Sequence, residues 1–590
     1  MAKRSKQRKD NRAGVSTKSL TGSGRDWLWG LILLATVVLT YTPVWWAGFV
    51  WDDGVVVTAN PVIVGPLGLK EIWTTKASDI CPLTLSTFWL EHKLWGLAPL
   101  PYHLVNVFLQ AASAVVLWRL LRRLLVPGAW LGAALWALHP VQVESVAWIT
   151  ELKNTESGFF FLLTILFFVK GLGAGDLAKP REWDWNYTLT LLFAALAMAS
   201  KSSAVILPVV LCLCAWWVEV RWHWRNLARM VPIVLMSAVA SAGTLWTQKL
   251  ELATVTDPQW TRTWSERLAT AGDAFWFYLG KLLWPHPIIA IYPRWQIDTA
   301  SWLSYAPLVA LLIVFVVLWS NRRSWSRPWF FVFAWFLATL LPVLGLVNST
   351  YFYYSFVADH FQYLASMAPL AQAGTGLVRF ADCVSPGKRW LPSTLAAGLL
   401  LLLAMLSWRR AWAFENDEVL WTDTLAKNPK CWLAAYNLGH ALDQSGRIEQ
   451  AIPLYRKALE IRPDYPQAHT NLGMALLNQG QKSEAMEHFQ EAVKLDPNYS
   501  DARSNLGVCL AIMGKTEEAI SQFQKALEIE PDNAEVQNNL GSLFLKMGQM
   551  NQAILHYQLA VQINPDDSTA QANLAKAQAA LRAPPTHQPK

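Results

Sequence analysis

The sequence predicts an all-α protein in two parts: a polytopic membrane bundle of about eleven transmembrane helices, then an α-solenoid of short repeats. Three observations lead there. Up to about residue 410, long apolar stretches alternate with short polar ones. The 590-residue chain is 53% hydrophobic and only 16% charged, with a mean hydropathy of +0.22, whereas soluble chains are usually about 25% charged. Beyond residue 411 a strict 34-residue period takes over. A single soluble domain, a disordered chain and a collagen-like chain are all excluded by these figures.

Taken in order, residues 1–26 form a basic tail; residues 1–25 carry eight Lys/Arg and one Asp. Beside an apolar segment such a tail is a cytoplasmic anchor rather than a nucleic-acid ligand. Residues 27–410 form the membrane domain and hold 31 of the 34 Trp. Its spans include Trp27–Ala47, Tyr102–Val126, Ser157–Val169, Val205–Val218, Met230–Trp246, Trp302–Trp319, Trp329–Val347 and Leu391–Trp408. Shorter stretches at Ala129–Ile149, Tyr187–Ala199 and Tyr363–Leu377 are expected to cross too. Ala274–Ile291, interrupted by Pro285 and Pro287, is expected to be re-entrant or interfacial. Basic residues at Arg119, Arg122, Arg123, Lys170–Arg181, Arg221–Arg229, Arg322–Arg327, Lys388 and Arg389 mark the cytoplasmic side. The long loop 48–101 and the repeats then lie outside. The six Cys are scattered without metal-site spacing or a disulfide pattern.

A connecting helix is expected at 411–431, then four repeats and a capping helix over 432–582, and a disordered tail at 583–590. Asn-Leu-Gly recurs from Asn437, Asn471, Asn505 and Asn539, and Asn573-Leu574-Ala575 follows. Pro429, Pro463, Pro497, Pro531 and Pro565 keep the same step, as do Gly446, Gly480, Gly514 and Gly548. This is the tetratricopeptide pattern of paired helices closed by proline.

Several polar groups gather at the expected outer boundary. Asp52 and Asp53 follow Phe49-Val50-Trp51 just after the first span. Alone they read as a solvated acidic turn, but a carboxylate there is also able to take a proton from an attacking hydroxyl or to hold a divalent cation. His139, Glu144, Glu151 and Lys153 interrupt an apolar segment and its outer end. Snorkelling explains Glu151 and Lys153 but not Glu144, which is flanked by Val143, Val146, Ala147 and Trp148. Lys201, Asp359, His360 and Tyr363 complete the set. Acids and cations together suit a lipid-linked phosphate.

FVWDD…NP, FWLEHKLWG, HPVQVESVAWITELKN and ADHFQYLAS, in this order and ahead of the repeats, resemble the transmembrane and tetratricopeptide-repeat protein O-mannosyltransferase family and its bacterial relatives. The resemblance implies a GT-C glycosyltransferase fold that takes a sugar from a polyprenyl-phosphate donor on the exoplasmic side. It implies catalysis at Asp52 and Asp53 and carries its His-Pro…Glu segment onto His139 and Glu144; donor binding is expected at these two with Glu151, Lys153, Lys201, Asp359, His360 and Tyr363. Two departures stand out. Leu152 and Asn154 replace the Arg and Asp common in relatives, and His360 replaces an Arg, so donor phosphate falls to Lys153, Lys201 or a protonated His360.

The expected reaction moves a mannose-like hexose to Ser/Thr hydroxyls of an acceptor protein. Asn437, Asn471, Asn505, Asn539 and Asn573 resemble the asparagine ladder by which the repeats of O-GlcNAc transferase hold an extended polypeptide. No cofactor is expected apart from a divalent metal at Asp52 and Asp53. The location implied is a bacterial inner membrane with periplasmic repeats, or a eukaryotic endoplasmic reticulum with lumenal ones. The alternative is a membrane-anchored repeat scaffold for envelope or surface-polysaccharide assembly.

Overall fold

A computed structural model describes residues 25–75, 81–172, 184–219, 224–254, 262–384 and 390–582. The basic tail up to Gly24, the charge markers Arg181, Arg221, Lys388 and Arg389, and the tail 583–590 lie outside the described residues. Within them every regular element is helical, and two compact units meet between Leu420 and Trp421.

The first unit begins with α1 (Asp26–Thr40), continued by a 3-10 turn at Thr42–Trp46. The following loop carries α2 (Leu69–Thr74) and α3 (Pro82–Trp95). Helix α3 turns Thr84, Phe88 and Glu91 inward and leaves Leu90, Leu94 and Trp95 exposed. Next come α4 (Pro99–Arg123) and α5 (Ala129–Leu138). His139-Pro140 ends α5, because proline has no N–H to donate and restricts the residue before it. The chain then steps through a 3-10 turn at Pro140–Gln142, α6 (Val143–Ala147) and a second 3-10 turn at Ile149–Glu151 into α7 (Leu152–Leu172).

Helices α8 (Trp185–Ser200), α9 (Leu207–Glu219), α10 (Trp224–Thr254), α11 (Trp264–Leu283), α12 (Ala306–Ser320), α13 (Arg327–Leu340), α14 (Met367–Val384) and α15 (Trp390–Ala411) complete the bundle. Among the described residues six segments are long and apolar enough to cross a bilayer: Pro99–Arg123, Ile149–Leu172, Ser202–Glu219, Leu227–Thr247, Trp302–Ser320 and Ser393–Phe414. Four further apolar helices of 10–17 residues begin at Asp26, Ala129, Trp185 and Arg327.

One expectation is corrected. The interruption assigned to Ala274–Ile291 does not fall within a helix: α11 runs unbroken for 20 residues, and Pro285 and Pro287 lie beyond its end. A capping box that the hydropathy pattern does not display starts it ten residues early. Thr263 Oγ1 accepts from Glu266 N, and Glu266 Oε2 accepts from Thr263 N.

In the second unit the helices pair as α17 (Trp432–Gln444) with α18 (Ile448–Ile461), α19 (Pro466–Asn478) with α20 (Lys482–Leu495), α21 (Ser500–Ile512) with α22 (Thr516–Ile529), and α23 (Ala534–Lys546) with α24 (Met550–Ile563). Helix α25 (Ser568–Arg582) follows, and α16 (Asp417–Lys427) leads in. The glycine of each Asn-Leu-Gly sets the approach of a pair. A Cβ on Gly439, Gly473, Gly507 or Gly541 would stand only 2.7–3.0 Å from the ring of Tyr455, Phe489, Phe523 or Tyr557. The turn glycine has a different cause. Gly446, Gly480, Gly514 and Gly548 have φ between 73° and 82°, the left-handed turn that closes a helix.

Candidate active site

The 3-10 turn at Ile149–Glu151 and the start of α7 form the floor of the site, and α4 holds them. Asn106 Nδ2 donates to Trp148 O at 3.2 Å and to Ile149 O at 3.3 Å, while its Oδ1 accepts from Thr155 Oγ1 at 2.6 Å. On this floor the acidic pair divides into two roles. Asp53 is fully buried; its Oδ2 accepts from Val50 N at 2.9 Å, and its Oδ1 accepts from Thr150 N at 2.8 Å and from the Thr150 hydroxyl. Asp53 therefore ties the loop to the floor. Asp52 is half-buried, and its Oδ1 has no hydrogen-bond partner. Both oxygens of Asp53 are thus engaged, whereas Asp52 keeps a buried oxygen without a hydrogen-bond partner. Among the described residues no three His, Cys, Asp or Glu converge as a metal seat.

The backbone ahead of Asp52 is strained. Trp51 has φ 54°, a left-handed conformation that costs a bulky residue about 1 kcal/mol or more. Two contacts hold it there: Trp51 N donates to Asp417 Oδ1 at 2.8 Å, and its ring stacks on Trp148 at 4.7 Å and 6°. Burial raises the Asp52 carboxyl to about 6, although the Lys153 ammonium pulls it down. Burial, and then the Asp52 charge, push Asp53 up to about 8 against its three donors.

Next to the pair, Glu151 lies between two ammonium groups. Lys153 Nζ is 2.9 Å from Glu151 Oε1, and Lys201 Nζ is 3.8 Å from Oε2. Lys201 also donates to Asn154 Oδ1 at 2.6 Å. The Asn154 amide donates to Ser145 Oγ, to His360 O and to Glu151. Asn154 is the hub joining α7, α8 and the segment around His360. Leu152, in contrast, sits in an apolar cluster with Val57, Ile63 and Ile72. A third pair closes the site: His360 Nδ1 is 3.1 Å from Glu144 Oε1, and His360 N donates to Glu144 Oε2 at 3.1 Å. Behind it Asp359 accepts from Tyr292 Oη at 2.8 Å, and burial, then the Glu144 charge, raise its carboxyl to about 7.

The structure thus brings together Asp52, Asp53, Glu144, Glu151, Lys153, Lys201, Asp359 and His360. Two expected members are elsewhere. His139 Nδ1 accepts from Val141 N at 3.4 Å, and its Nε2 donates to Leu282 O at 3.2 Å. Both ring nitrogens meet backbone groups, so His139 caps the turn after α5. Tyr363 is buried against Gly158 and Trp136 and donates to Gln110 Oε1 at 2.6 Å; its hydroxyl belongs to the core.

Sequence reasoning does not single out Thr150, Asn106 or Tyr292. A signal exists for one of them: His103, Asn106 and Gln110, at helical spacing in an otherwise apolar span, mark an inward polar face.

In the repeats the five Asn are each half-buried. Asn471 Nδ2 donates to Tyr436 Oη at 3.0 Å and Asn573 Nδ2 to Asn538 Oδ1 at 3.0 Å. Two rungs thus link neighbouring repeats, a structural role alongside any in binding.

A helical bundle with apolar spans, a cluster of acids and cations at one end and a tetratricopeptide solenoid defines a polytopic, repeat-bearing membrane protein. Tetratricopeptide-repeat family models match residues 439–480 and 510–548, 466–499 and 534–567, and 488–521. The family resemblance drawn from the motifs holds. The chain is 24% identical over 464 residues to a protein O-mannosyl-transferase of Caenorhabditis elegans, covering 74% of this chain and 63% of that protein. It is 22% identical over 456 residues to a protein O-mannosyl-transferase of Drosophila melanogaster, covering 66% of this chain and 49% of that one. A mouse protein O-mannosyl-transferase is 38% identical over 91 residues, covering 15% of this chain and 11% of that one. The chain therefore spans less than two thirds of the length of these relatives.

Proposed function

We propose that this chain is an integral-membrane glycosyltransferase that moves a mannose-like hexose from a polyprenyl-phosphate donor to a Ser or Thr hydroxyl of a protein. The observation that carries this reading is Asp52: a carboxylate oxygen without a hydrogen-bond partner, next to the strained Trp51 and beside the Lys153–Glu151 and His360–Glu144 pairs. The acceptor oxygen attacks the anomeric carbon as the bond from that carbon to the phosphate oxygen breaks. Asp52 takes the hydroxyl proton, and the polyprenyl phosphate leaves with the bonding pair. A base with a pKa of about 6 is well matched to this step. It is unprotonated at neutral pH and accepts a proton better than an ordinary Asp near 3.9. Lys153, with 28% of its side chain exposed, keeps N–H donors for the departing phosphate. The basic end of α4 at Arg119, Arg122 and Arg123, opposite the site, supports an exoplasmic site under the positive-inside rule.

The direct test incubates membranes containing the full chain with radiolabelled polyprenyl-phosphate hexoses. Protein-bound label is expected, and its absence with every hexose favours the scaffold reading. The rate should also fall as pH drops through about 6, since Asp52 that already carries a proton no longer acts as a base. A profile flat from neutrality down to pH of about 4.5 would remove Asp52 as the base.

For the acceptor we propose an extended Ser/Thr-rich peptide along the asparagine face, since each side-chain amide offers both donor and acceptor. Replacing Asn437, Asn505 and Asn539 together by Ala in the full chain should weaken peptide binding by roughly a hundredfold, at about 1 kcal/mol for each of three lost pairs. Unchanged affinity would leave the ladder a purely structural feature.

A further inference from the structure

Beyond the transfer site, the same end of the bundle carries a second charged constellation. Arg262 immediately precedes the N-cap of α11, Arg267 lies one turn inside the helix, and Arg294 follows in the extended segment after it. All three converge on the segment 345–356, which continues into Asp359 and His360. Arg267 is fully used in holding this segment: its guanidinium donates to Arg262 O at 3.2 Å, Leu346 O at 2.9 Å and Asn348 Oδ1 at 2.7 Å.

Arg262 is different. Its guanidinium carbon lies 4.5 Å from the centre of the Phe356 ring and 5.8 Å from that of Phe352, and the Arg294 guanidinium lies 5.2 Å from Phe356. Two cations thus share one aromatic ring. Gly345 is shaped to admit the first of them: its φ is +84°, and a Cβ there would stand 3.1 Å from Arg262 Nη1. Yet among the described residues Arg262 Nε and Nη2 are buried without a hydrogen-bond acceptor. Glu266, the nearby carboxylate, is engaged in the capping box with Thr263. Burial, and then the Arg267 charge, pull the Arg262 guanidinium down to about 10. Leaving a charged donor dry and unanswered is costly, so the arrangement is incomplete without an anion.

The surroundings indicate which anion. Trp264 is 69% exposed and Leu268, one turn on, 42% exposed, so the start of α11 presents a Trp and a Leu side chain of the kind that settles at headgroup depth. A planar guanidinium fork matches the oxygens of phosphate. We propose that Arg262 and Arg294, seated on Phe356, bind the phosphate of a membrane lipid at this end of the bundle. The proposal does not depend on sugar transfer, because binding alone tests it.

The test uses the full chain in phosphatidylcholine nanodiscs and follows Trp fluorescence. A short prenyl phosphate is titrated in one arm, phosphatidylglycerol is added to the disc in a second, and inorganic phosphate is titrated in a third. Wild type should respond in the first or second arm, and Arg262→Gln should weaken that response roughly tenfold or more, while Arg322→Gln at the other end of α12 leaves it unchanged. A response to the prenyl phosphate alone identifies a lipid-linked donor as the source; one to phosphatidylglycerol alone identifies the headgroups. Binding of inorganic phosphate only, or equal responses from wild type and Arg262→Gln, would overturn the proposal. Should the Gln variant fail to fold, Arg262→Lys keeps the charge without the fork. It is then expected to bind several-fold more weakly, and undiminished binding overturns the proposal in the same way.

Discussion

Asp52→Asn is expected to lower sugar transfer by about 10²–10⁴-fold, the usual contribution of a general base, while leaving the bundle as heat-stable as wild type. The amide is nearly the shape of the carboxylate, and Asp52 Oδ1 has no partner to lose. The contrast with its neighbour makes the test sharp. Asp53→Asn replaces one of two acceptor oxygens by an amide that meets backbone N–H groups of Val50 or Thr150. That variant should lose both stability and activity. If Asp52→Asn retained turnover, or if the two variants behaved alike, the division of roles between the two acids would be wrong. Initial rates on membranes and thermal unfolding in detergent separate these outcomes.

Glu151→Gln should destabilise the bundle by about 3 kcal/mol, the lower end of what breaking a buried ion pair costs. Glu151 is 1% exposed, while the side chains of Lys153 and Lys201 are 28% and 14% exposed, so water relieves part of the loss. A second effect distinguishes this variant from a merely damaged one. The Glu151 charge raises the Asp52 pKa, and Lys153 lowers it. With Glu151 neutral, the lowering influence remains and the raising one is gone, so the acid limb of the rate profile should move below about 6. A limb that stayed in place or moved upward would contradict the proposed electrostatics.

The solenoid was legible because its pattern is local. Each repeat restates the same glycine, alanine and proline positions, and Gly473 against Phe489 is a contact between two helices close in sequence. The membrane helices were legible as apolar runs, but not where they are set by capping: nothing in hydropathy reports that Thr263 and Glu266 begin α11 well ahead of the apolar stretch. At the site, residue type and boundary position picked out the acids and lysines. They did not foresee that Lys153 and Lys201 face Glu151, or that Asn154 is a hub of amide hydrogen bonds. Those relations join segments far apart in the chain, such as Asn154 with His360 and Asp53 with Thr150. His139 and Tyr363 find their partners within the bundle for a simpler reason: a polar side chain in an apolar stretch is readily satisfied by a backbone carbonyl or a buried amide.

The inward polar face of α4 has a consequence for biogenesis. His103 reaches Gly48 O at 3.3 Å, Asn106 binds the carbonyls of Trp148 and Ile149, and Gln110 takes the Tyr363 hydroxyl. Most of these partners are synthesised after α4 itself. Uncompensated polar groups are poorly tolerated in hydrocarbon, so a nascent α4 is best retained beside the insertion machinery until α7 arrives to cover it. Early and late spans would then enter the lipid as a set, and ribosome-bound chains truncated before residue 148 should be held at the translocon.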